Sequence, residues 1–228
     1  MPVTISLAAT PDHREEVFRL RYTVLVEEMH RTPGLADHYF RRIEEPLDLF
    51  ARFLVARHDR TVIGALRVNL LSEGEIEAET QAFNVRHFRE AYPHGIAVSA
   101  PPLVVPGFRN SNLALRLVRM AYTMELNEGI THDFVRPEPG TESFYLELGY
   151  RPYPHPAATP MLEHPTTDPL VLVLRDDVHL AQVNSPLREE WREHFGPAAS
   201  GRTGGKTGSD ADGTPDPQPD YGTRRRQD

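Results

Sequence analysis

One short segment, Phe144 to Tyr153 (FYLELGYRPY), constrains this chain more than any other. Phe144 and Tyr145 stand side by side on a predicted helix that also carries Leu148, and Gly149 follows it. Because glycine readily takes the left-handed conformation that ends a helix, Gly149 predicts a sharp stop there. The segment then continues as an extended stretch. The sequence therefore predicts a helix that runs directly into a strand, with aromatic side chains fixed at the junction.

Upstream of this segment lies a predicted strand, turn and helix start. Apolar residues 103–105 lead through a turn into residues 110–128, where apolar side chains recur at three- and four-residue spacing. The first N–H groups of a helix have no partner within the helix, and its dipole adds partial positive charge, so this start favours a pyrophosphate. The candidate residues are Val104, Val105, Arg109, Asn110, Ser111, Asn112, Leu113 and Ala114. An ordinary helix capped by Asn or Ser is the alternative.

The remaining pattern predicts an α/β protein. Predicted strands are 4–8, 52–57, 62–70, 96–105 (interrupted by Pro101-Pro102), 130–135 and 170–174, and predicted helices are 12–28, 83–92, 141–148 and 186–195, with 33–45 irregular or helical. This order favours one mixed sheet with helices on both faces.

The composition argues against several classes of function. The net charge is −8, and Lys206 is the only lysine, so nucleic acid is not an expected partner. The chain has no cysteine, which excludes a Cys nucleophile and thiolate metal ligands. No apolar run is long enough to span a membrane, and the N-terminus lacks a signal region, so we expect a cytoplasmic protein.

One folded domain is expected over residues 1–195, followed by a disordered tail over residues 196–228 that is rich in Gly, Pro and Asp. The tail contains Gly204-Gly205-Lys206-Thr207, but the spacing of a phosphate loop would need a glycine where Ser200 stands. No metal site is expected, because His155 and His164 only flank a Pro-rich loop.

The segment Phe144-Tyr145-x-x-Leu148-Gly149-Tyr150-x-Pro152, preceded by the 104–114 element, resembles the second half of a GNAT-type N-acyltransferase. The resemblance implies a mixed, splayed central sheet with helices on both faces. It also implies that residues 104–114 hold an acyl-CoA or acyl-carrier-protein thioester as co-substrate, with no permanently bound cofactor. Tyr145 would face the thioester sulfur and protonate the departing thiolate; its alternative is a core aromatic.

The N-terminal half resembles the autoinducer-synthase-like branch, which includes N-acyl amino acid synthases. The resemblance lies in residues 21–30 (RYTVLVEEMH), 44–48 (EEPLD) and 64–68 (GALRV), and in 169–187. It favours Arg21 and Arg67, with Ser99, as contacts of the acceptor. Glu45, Asp48 and His30 are the candidate bases for the ammonium proton. A structural ion-pair network of the same residues is the alternative.

One departure from the branch concerns the strand before the carrier loop. Its members carry a Glu-x-x-Arg there, whereas this chain has Val98-Ser99-Ala100-Pro101-Pro102, and Ser99 cannot replace a carboxylate base. The expected function is acyl transfer to a primary amine, such as an amino acid. The alternatives are a non-catalytic binding protein of the same fold and a lactone-forming synthase.

Overall fold

The structure is a computed structural model and describes residues 2–75, 77–154 and 167–196. Most of the predicted tail, including Lys206, and the loop with His155 and His164 lie outside the described residues. The N-terminal half holds β1 (Val3–Leu7), α1 (Pro11–Tyr22), β2 (Ala36–Asp37), β3 (Arg42–Ile43), β4 (Ala51–His58) and β5 (Thr61–Leu70). A π-helical segment, Thr23–Glu28, extends α1, and a 3-10 turn, Pro46–Phe50, precedes β4.

The C-terminal half supplies the remaining elements. They are α2 (Glu77–Ala82), β6 (Ile96–Ser99), β7 (Leu103–Val104), α3 (Leu113–Asn127), β8 (His132–Val135), α4 (Glu142–Leu148), β9 (Arg151–Pro152), β10 (Leu170–Val173), α5 (Asp177–Gln182) and α6 (Arg188–Phe195). Two short 3-10 turns, Val85–His87 and Pro106–Phe108, complete the set.

The described strands form one large sheet and one small hairpin. The large sheet has 8 strands in the order β1-β4-β5-β6-β8-β10-β9, with β7 paired to β5 beside this path. The pairs are antiparallel except for β6 and β8, which run parallel in register from Ile96↔His132 to Ser99↔Val135. The mixed sheet with helices on both faces that the sequence predicts is confirmed.

Strand alternation divides the core between the two faces of the sheet. On one face Leu66 of β5 and Leu172 of β10 pack against α3, α4 and α5. On the other face Phe53 and Ala65 pack against α1, and the segment after α2 covers the far end of that face. Because neighbouring side chains of a strand point to opposite faces, each site residue on a strand is assigned to one of the two faces.

The structure corrects several local expectations. Residues 83–92 were predicted as a helix, but only a 3-10 turn forms there, and the α-helix lies earlier, at Glu77–Ala82. Residues 33–45 contain the β2–β3 hairpin. The predicted helix 12–28 changes to π-helical geometry at Thr23. Gly149 ends α4 with φ 105°, which confirms the predicted stop, and Gly129 follows α3 with φ 76°.

None of the described helices has the length and apolar character that crossing a bilayer requires.

Candidate active site

The sheet opens where β6 gives way to β7. The parallel pairing of β6 with β8 ends at Ser99↔Val135. Beyond Pro101 and Pro102 the chain continues as β7, which pairs with β5 but with no strand on its other side among the described residues. Proline cannot donate a ladder hydrogen bond, which gives the separation a cause in the sequence. The result is a splay between β7 and the end of β8.

The backbone of β7 offers one group to this splay. The Val105 N–H donates to the Ile63 carbonyl (3.0 Å), and the Val105 carbonyl accepts from the Phe108 N–H (3.0 Å). Both Val105 groups, which the sequence assigns to carrier binding, are therefore engaged within the protein. Since successive N–H groups of a strand point to opposite sides, the Val104 N–H faces away from β5 and into the splay.

The turn before α3 lacks left-handed residues. Neither Asn110 nor Asn112 has positive φ, and Asn112, at φ −79°, does not cap α3 through its side chain. Ser111 does the capping instead: its hydroxyl donates to the Phe108 carbonyl (2.6 Å) and accepts from the Leu113 N–H (3.2 Å). Residues 109–112 are exposed. The next N–H groups, of Ala114 and Leu115, have no carbonyl partner within the helix.

Two ion pairs tie the segment after α1 to both sides of the splay. Arg109, beside the start of α3, pairs with Glu28 (2.7 Å from Nη2 to Oε2), and its Nε donates to the Val104 carbonyl (3.0 Å). Arg31 pairs with Glu138, which follows β8 (2.6 Å). His30 lies between these two anchors; it is exposed and has φ 54°. The structure thus places His30 at the mouth of the splay.

A narrow pocket lies at the splay on the face that α3 covers. It has room for about one water molecule. Its walls come from β5, β6 and the link to β7, α3, β8, α4 and β10: Leu66, Ser99, Ala100, Pro102, Val118, Ala121, Tyr122, Glu125, Asp133, Val135, Tyr145, Tyr150 and Leu172. Tyr145 and Ser99, two of the residues singled out from the sequence, meet here.

The aromatic pair of α4 orients Tyr145. Tyr145 is 3% exposed, and its ring contacts those of Phe144 and Tyr150 edge to face, with centroids 5.2 and 5.4 Å away. Burial, the nearby charge of Asp133 and that of Glu138 raise the pKa of Tyr145 well above its ordinary value. The phenol therefore stays protonated at neutral pH.

Two carboxyl groups that the sequence analysis did not select lie in the pocket. Glu125 on α3 and Asp133 on β8 are each 1% exposed. The Ser99 hydroxyl donates to Glu125 Oε1 (3.3 Å), and the Tyr150 hydroxyl donates to Asp133 Oδ2. Asp133 Oδ1 is buried without a hydrogen-bond partner among the described residues. The pocket thus holds one carboxylate oxygen that is free to accept a hydrogen bond.

Burial raises the pKa values of these two acids above those of ordinary carboxyls. Burial, and then the charge of Asp133, raise the pKa of Glu125 well above its usual range, against the hydrogen bond from Ser99. Burial raises the pKa of Asp133 to about 7, while the hydrogen bond from Tyr150 and the nearby polar groups of Ser99 and Phe134 oppose the rise. Burial is the largest cause of both rises, so near neutrality the pair still binds protons that exposed carboxyls would have lost.

The charged residues predicted from the N-terminal half also come together, but on the opposite face of the sheet. Arg21 donates to both oxygens of Asp48 (2.7 and 3.1 Å) and to the Ile43 carbonyl (3.0 Å). Arg67 pairs with Glu45 and Asp48, and its Nε is buried without a partner among the described residues. Arg67 shares the α1 face with Ala65, two residues earlier on β5. The structure therefore separates this cluster from the pocket of Tyr145.

Asp48 is the centre of this cluster. It is 0% exposed, and its Oδ2 also accepts from the Glu45 N–H (2.7 Å). Burial pushes the pKa of Asp48 upward, but the hydrogen bond and charge of Arg21, the Glu45 N–H and the charge of Arg67 together hold it below its usual value. A carboxylate that binds protons this weakly is a poor base, and this geometry favours the ion-pair network.

A signal for the missed acids was present in the sequence. Glu125 follows Leu117 and Ala121 at four-residue spacing, on the buried stripe of α3, and Asp133 directly precedes the buried Phe134 and Val135 on a strand. A carboxylate on an apolar face needs a partner or a function. Within the described ranges, no group of three or more His, Cys, Asp or Glu is placed to hold a metal ion.

Comparison with solved structures identifies the fold. The CoA-dependent acyl-homoserine lactone synthase BjaI, solved with SAM and isopentyl-CoA, is 22% identical (81% of this chain, 91% of that chain, TM-score 0.61). FeeM, an N-acyl amino acid synthase from uncultured soil microbes, is 14% identical (82% and 97%, TM-score 0.60). A putative N-acetyltransferase from Lactobacillus plantarum is 19% identical (76% and 99%, TM-score 0.54).

No protein-family model matches the sequence, and no curated protein matches it. At these identities the structural likeness shows the fold alone. The chain has the GNAT fold, and the expectation that the aromatic turn raised about its architecture is confirmed.

Proposed function

We propose that this protein is an N-acyltransferase that moves an acyl group from a CoA or acyl-carrier-protein thioester to a primary amine. One observation carries the proposal: the pocket at the splay brings the protonated Tyr145 together with buried carboxyls where β7 and β8 separate. The reaction needs a donor for the departing sulfur and an acceptor for the amine proton, and this pocket contains both kinds of group. The similarity to acyltransferases of known structure supports the same reaction class.

The donor would enter through the splay. Its acyl-thioester arm would lie beside β7, where the Val104 N–H faces the opening, and its pyrophosphate would lie at the exposed start of α3. There the Ala114 and Leu115 N–H groups and the helix dipole favour an anion. Arg109 would contribute positive charge, and the side chains of Asn110 and Ser111 would border the phosphates.

The acceptor amine would attack the thioester carbonyl directly, since the chain has no cysteine to form an acyl-enzyme. A bond forms between nitrogen and the carbonyl carbon, and the carbon–sulfur bond breaks. Tyr145 would pass its proton to the sulfur while receiving one from the nitrogen, so that no phenolate accumulates despite the raised pKa of its hydroxyl.

The α1 face would meet the acceptor. Of the charged cluster there, Arg67 retains a buried Nε without a partner among the described residues, and Glu45 is the more exposed carboxylate, with 34% of its side chain accessible. Arg67 would bind a carboxylate of the acceptor, with Arg21 behind it, and the amine would extend past His30 into the splay, toward the pocket on the α3 face. This arrangement suits an amino acid or a related metabolite.

Thiol release tests the proposal. Because the protein has no cysteine, a thiol reagent reports only the free CoA or carrier thiol, without a background from the enzyme. Acyl-CoA and acyl-carrier-protein donors of increasing chain length would be combined with amino acids, simple amines and S-adenosylmethionine, and the products identified by mass spectrometry. Amine-dependent thiol release supports the proposal, and a lactone product would identify a lactone-forming synthase. Carrier binding without turnover would favour the non-catalytic alternative.

Tyr145→Phe is expected to lower kcat by about 100-fold, because it removes only the hydroxyl that protonates the sulfur. The affinity for CoA and the melting temperature should stay close to those of the wild type, since the ring and its contacts remain. Tyr39→Phe is the matched control, because Tyr39 is 87% exposed. Unchanged kcat in Tyr145→Phe contradicts the donor role.

Glu28→Gln is expected to tighten CoA binding several-fold. Glu28 occupies the guanidinium of Arg109 at the start of α3, and the neutral amide leaves that charge to the pyrophosphate. Arg109→Ala should weaken binding, and calorimetric titration with CoA measures both. Equal affinity in all three proteins would show that Arg109 does not contact the donor.

A further inference from the structure

We infer that Asp133 is the general base of this site, a role that rests on the proposed acyl transfer, and that Glu125 is a positioning residue that holds a proton beside it. The base candidates taken from the sequence, Glu45 and Asp48, belong to the ion-pair network on the other face. Ser99 of β6, which cannot itself act as a carboxylate base, contacts Glu125. The buried carboxyls of the pocket come from the neighbouring elements α3 and β8.

The geometry favours Asp133 over Glu125 as the reacting group. Asp133 Oδ2 accepts from the Tyr150 hydroxyl, which fixes the carboxyl plane. Its Oδ1 is buried, borders the pocket and has no partner among the described residues. A buried oxygen of this kind is costly unless a ligand or a water satisfies it. Oδ1 is therefore the atom placed to accept a proton, either directly from the amine or through the one water that the pocket can hold.

The chemical step balances without a further reactant. The acceptor enters as an ammonium ion and gives one proton to Asp133 Oδ1, which frees the nitrogen lone pair. That lone pair forms the bond to the thioester carbonyl carbon, and the bonding pair of the carbon–sulfur bond leaves with sulfur. The second nitrogen proton reaches sulfur through Tyr145. Asp133 then releases its proton to solvent and the cycle repeats.

The surroundings suit a base that works near neutral pH. The titratable groups that face Asp133 are Glu125 and Tyr122 from α3, Tyr145 from α4 and Tyr150 after it. All three phenols have pKa values raised by burial, so they remain neutral. Asp133 is therefore the group of this pocket that changes charge near pH 7, and a carboxylate with so high a proton affinity is a stronger base than an exposed one.

Asp133→Asn tests the inference in the full-length protein. We expect kcat/KM to fall by about 10²- to 10⁴-fold, the usual contribution of a general base. CoA affinity should be unchanged, since Asp133 does not contact the carrier. Asp177→Asn, at an exposed position of α5, is the matched control and should behave as the wild type. Wild-type activity in Asp133→Asn overturns the assignment while the proposed function stands.

A pH profile distinguishes a base from a structural residue. The wild-type rate should rise with pH through the ionisation of Asp133. The Tyr150 hydrogen bond opposes the raised pKa of Asp133, so Tyr150→Phe should move this limb to higher pH. A limb that stays in place in Tyr150→Phe contradicts the role of Asp133.

An infrared titration measures the protonation of Glu125 and Asp133 directly and does not require turnover. The band of a protonated, buried carboxyl should persist at neutral pH in the wild type and disappear in Glu125→Gln, and a second carboxyl should titrate near pH 7 and be absent from Asp133→Asn. If the wild type releases no thiol with any combination of donor and amine, the proposed function fails, and the assignment of Asp133 as the base fails with it. If it turns over but neither carboxyl titrates as described, only the inference about Asp133 and Glu125 fails.

Discussion

Replacing Asp48 by asparagine is expected to lower the free energy of unfolding by about 3–5 kcal/mol, the usual cost of removing one partner of a buried ion pair. Asp48 is fully buried and accepts from Arg21, Arg67 and the Glu45 N–H. An amide has the same shape, but it leaves two guanidinium groups without their central counter-charge and turns two acceptor atoms into one. Urea denaturation at pH 7 measures the change.

Asp59→Asn is the matched control for this substitution. The side chain of Asp59 is 53% exposed, and the residue has φ 58°, a conformation that asparagine adopts as readily as aspartate. We expect a change below about 0.5 kcal/mol there.

The same variant decides between two roles for Asp48. If Asp48→Asn loses turnover yet unfolds at the same urea concentration as the wild type, Asp48 acts as a base, as the sequence suggests, and the network does not depend on it. If stability and turnover fall together, and turnover recovers where the variant is folded, Asp48 holds the fold of the α1 face. The lowered pKa of Asp48 favours the second result.

The sequence predicted those parts of the fold that local residues determine. Gly149 and Gly129 need left-handed backbone, and Pro101-Pro102 cannot continue a ladder, so the helix stops and the splay follow from single residues. Residues 83–92 were assigned to a helix wrongly, because their apolar side chains pack against β6, β8 and β10 from an irregular segment. Tertiary packing overrode the local pattern there.

The site was harder to predict than the fold because its groups come from different elements. Tyr145 was found, since the aromatic turn is continuous in sequence. Glu125 and Asp133 were not, because only the packing of α3 on β8 brings them to one pocket. Their individual signals, an acid on a buried helical stripe and an acid next to buried apolar residues of a strand, become informative together. Glu125 and Asp133, which are unfavourable residues for a buried core, supply the chemistry that the proposed reaction needs.

Glu125→Gln is expected to stabilise the protein, and increasingly so as the pH rises. In the folded state Glu125 keeps its proton well above the usual range, whereas in the unfolded chain it ionises near pH 4. The folded state therefore binds more protons than the unfolded state, and the stability that this uptake provides is complete below about pH 4 and is lost as the pH rises through the folded pKa. Glutamine does not titrate, so it removes this dependence.

The free energy of unfolding of Glu125→Gln relative to the wild type should increase by about 1.4 kcal/mol per pH unit from about pH 5 up to the raised pKa of Glu125 in the folded protein. Each two pH units of that range should increase the difference in melting temperature by about 5–10 °C. Thermal unfolding in a buffer series measures it, with Glu147→Gln, an exposed position of α4, as the control that should show no such slope. A constant difference across the series would mean that Glu125 ionises in the folded protein as it does in water. A slope of the expected size would measure how much folding stability the protein loses by burying Glu125 beside Asp133 and Tyr145.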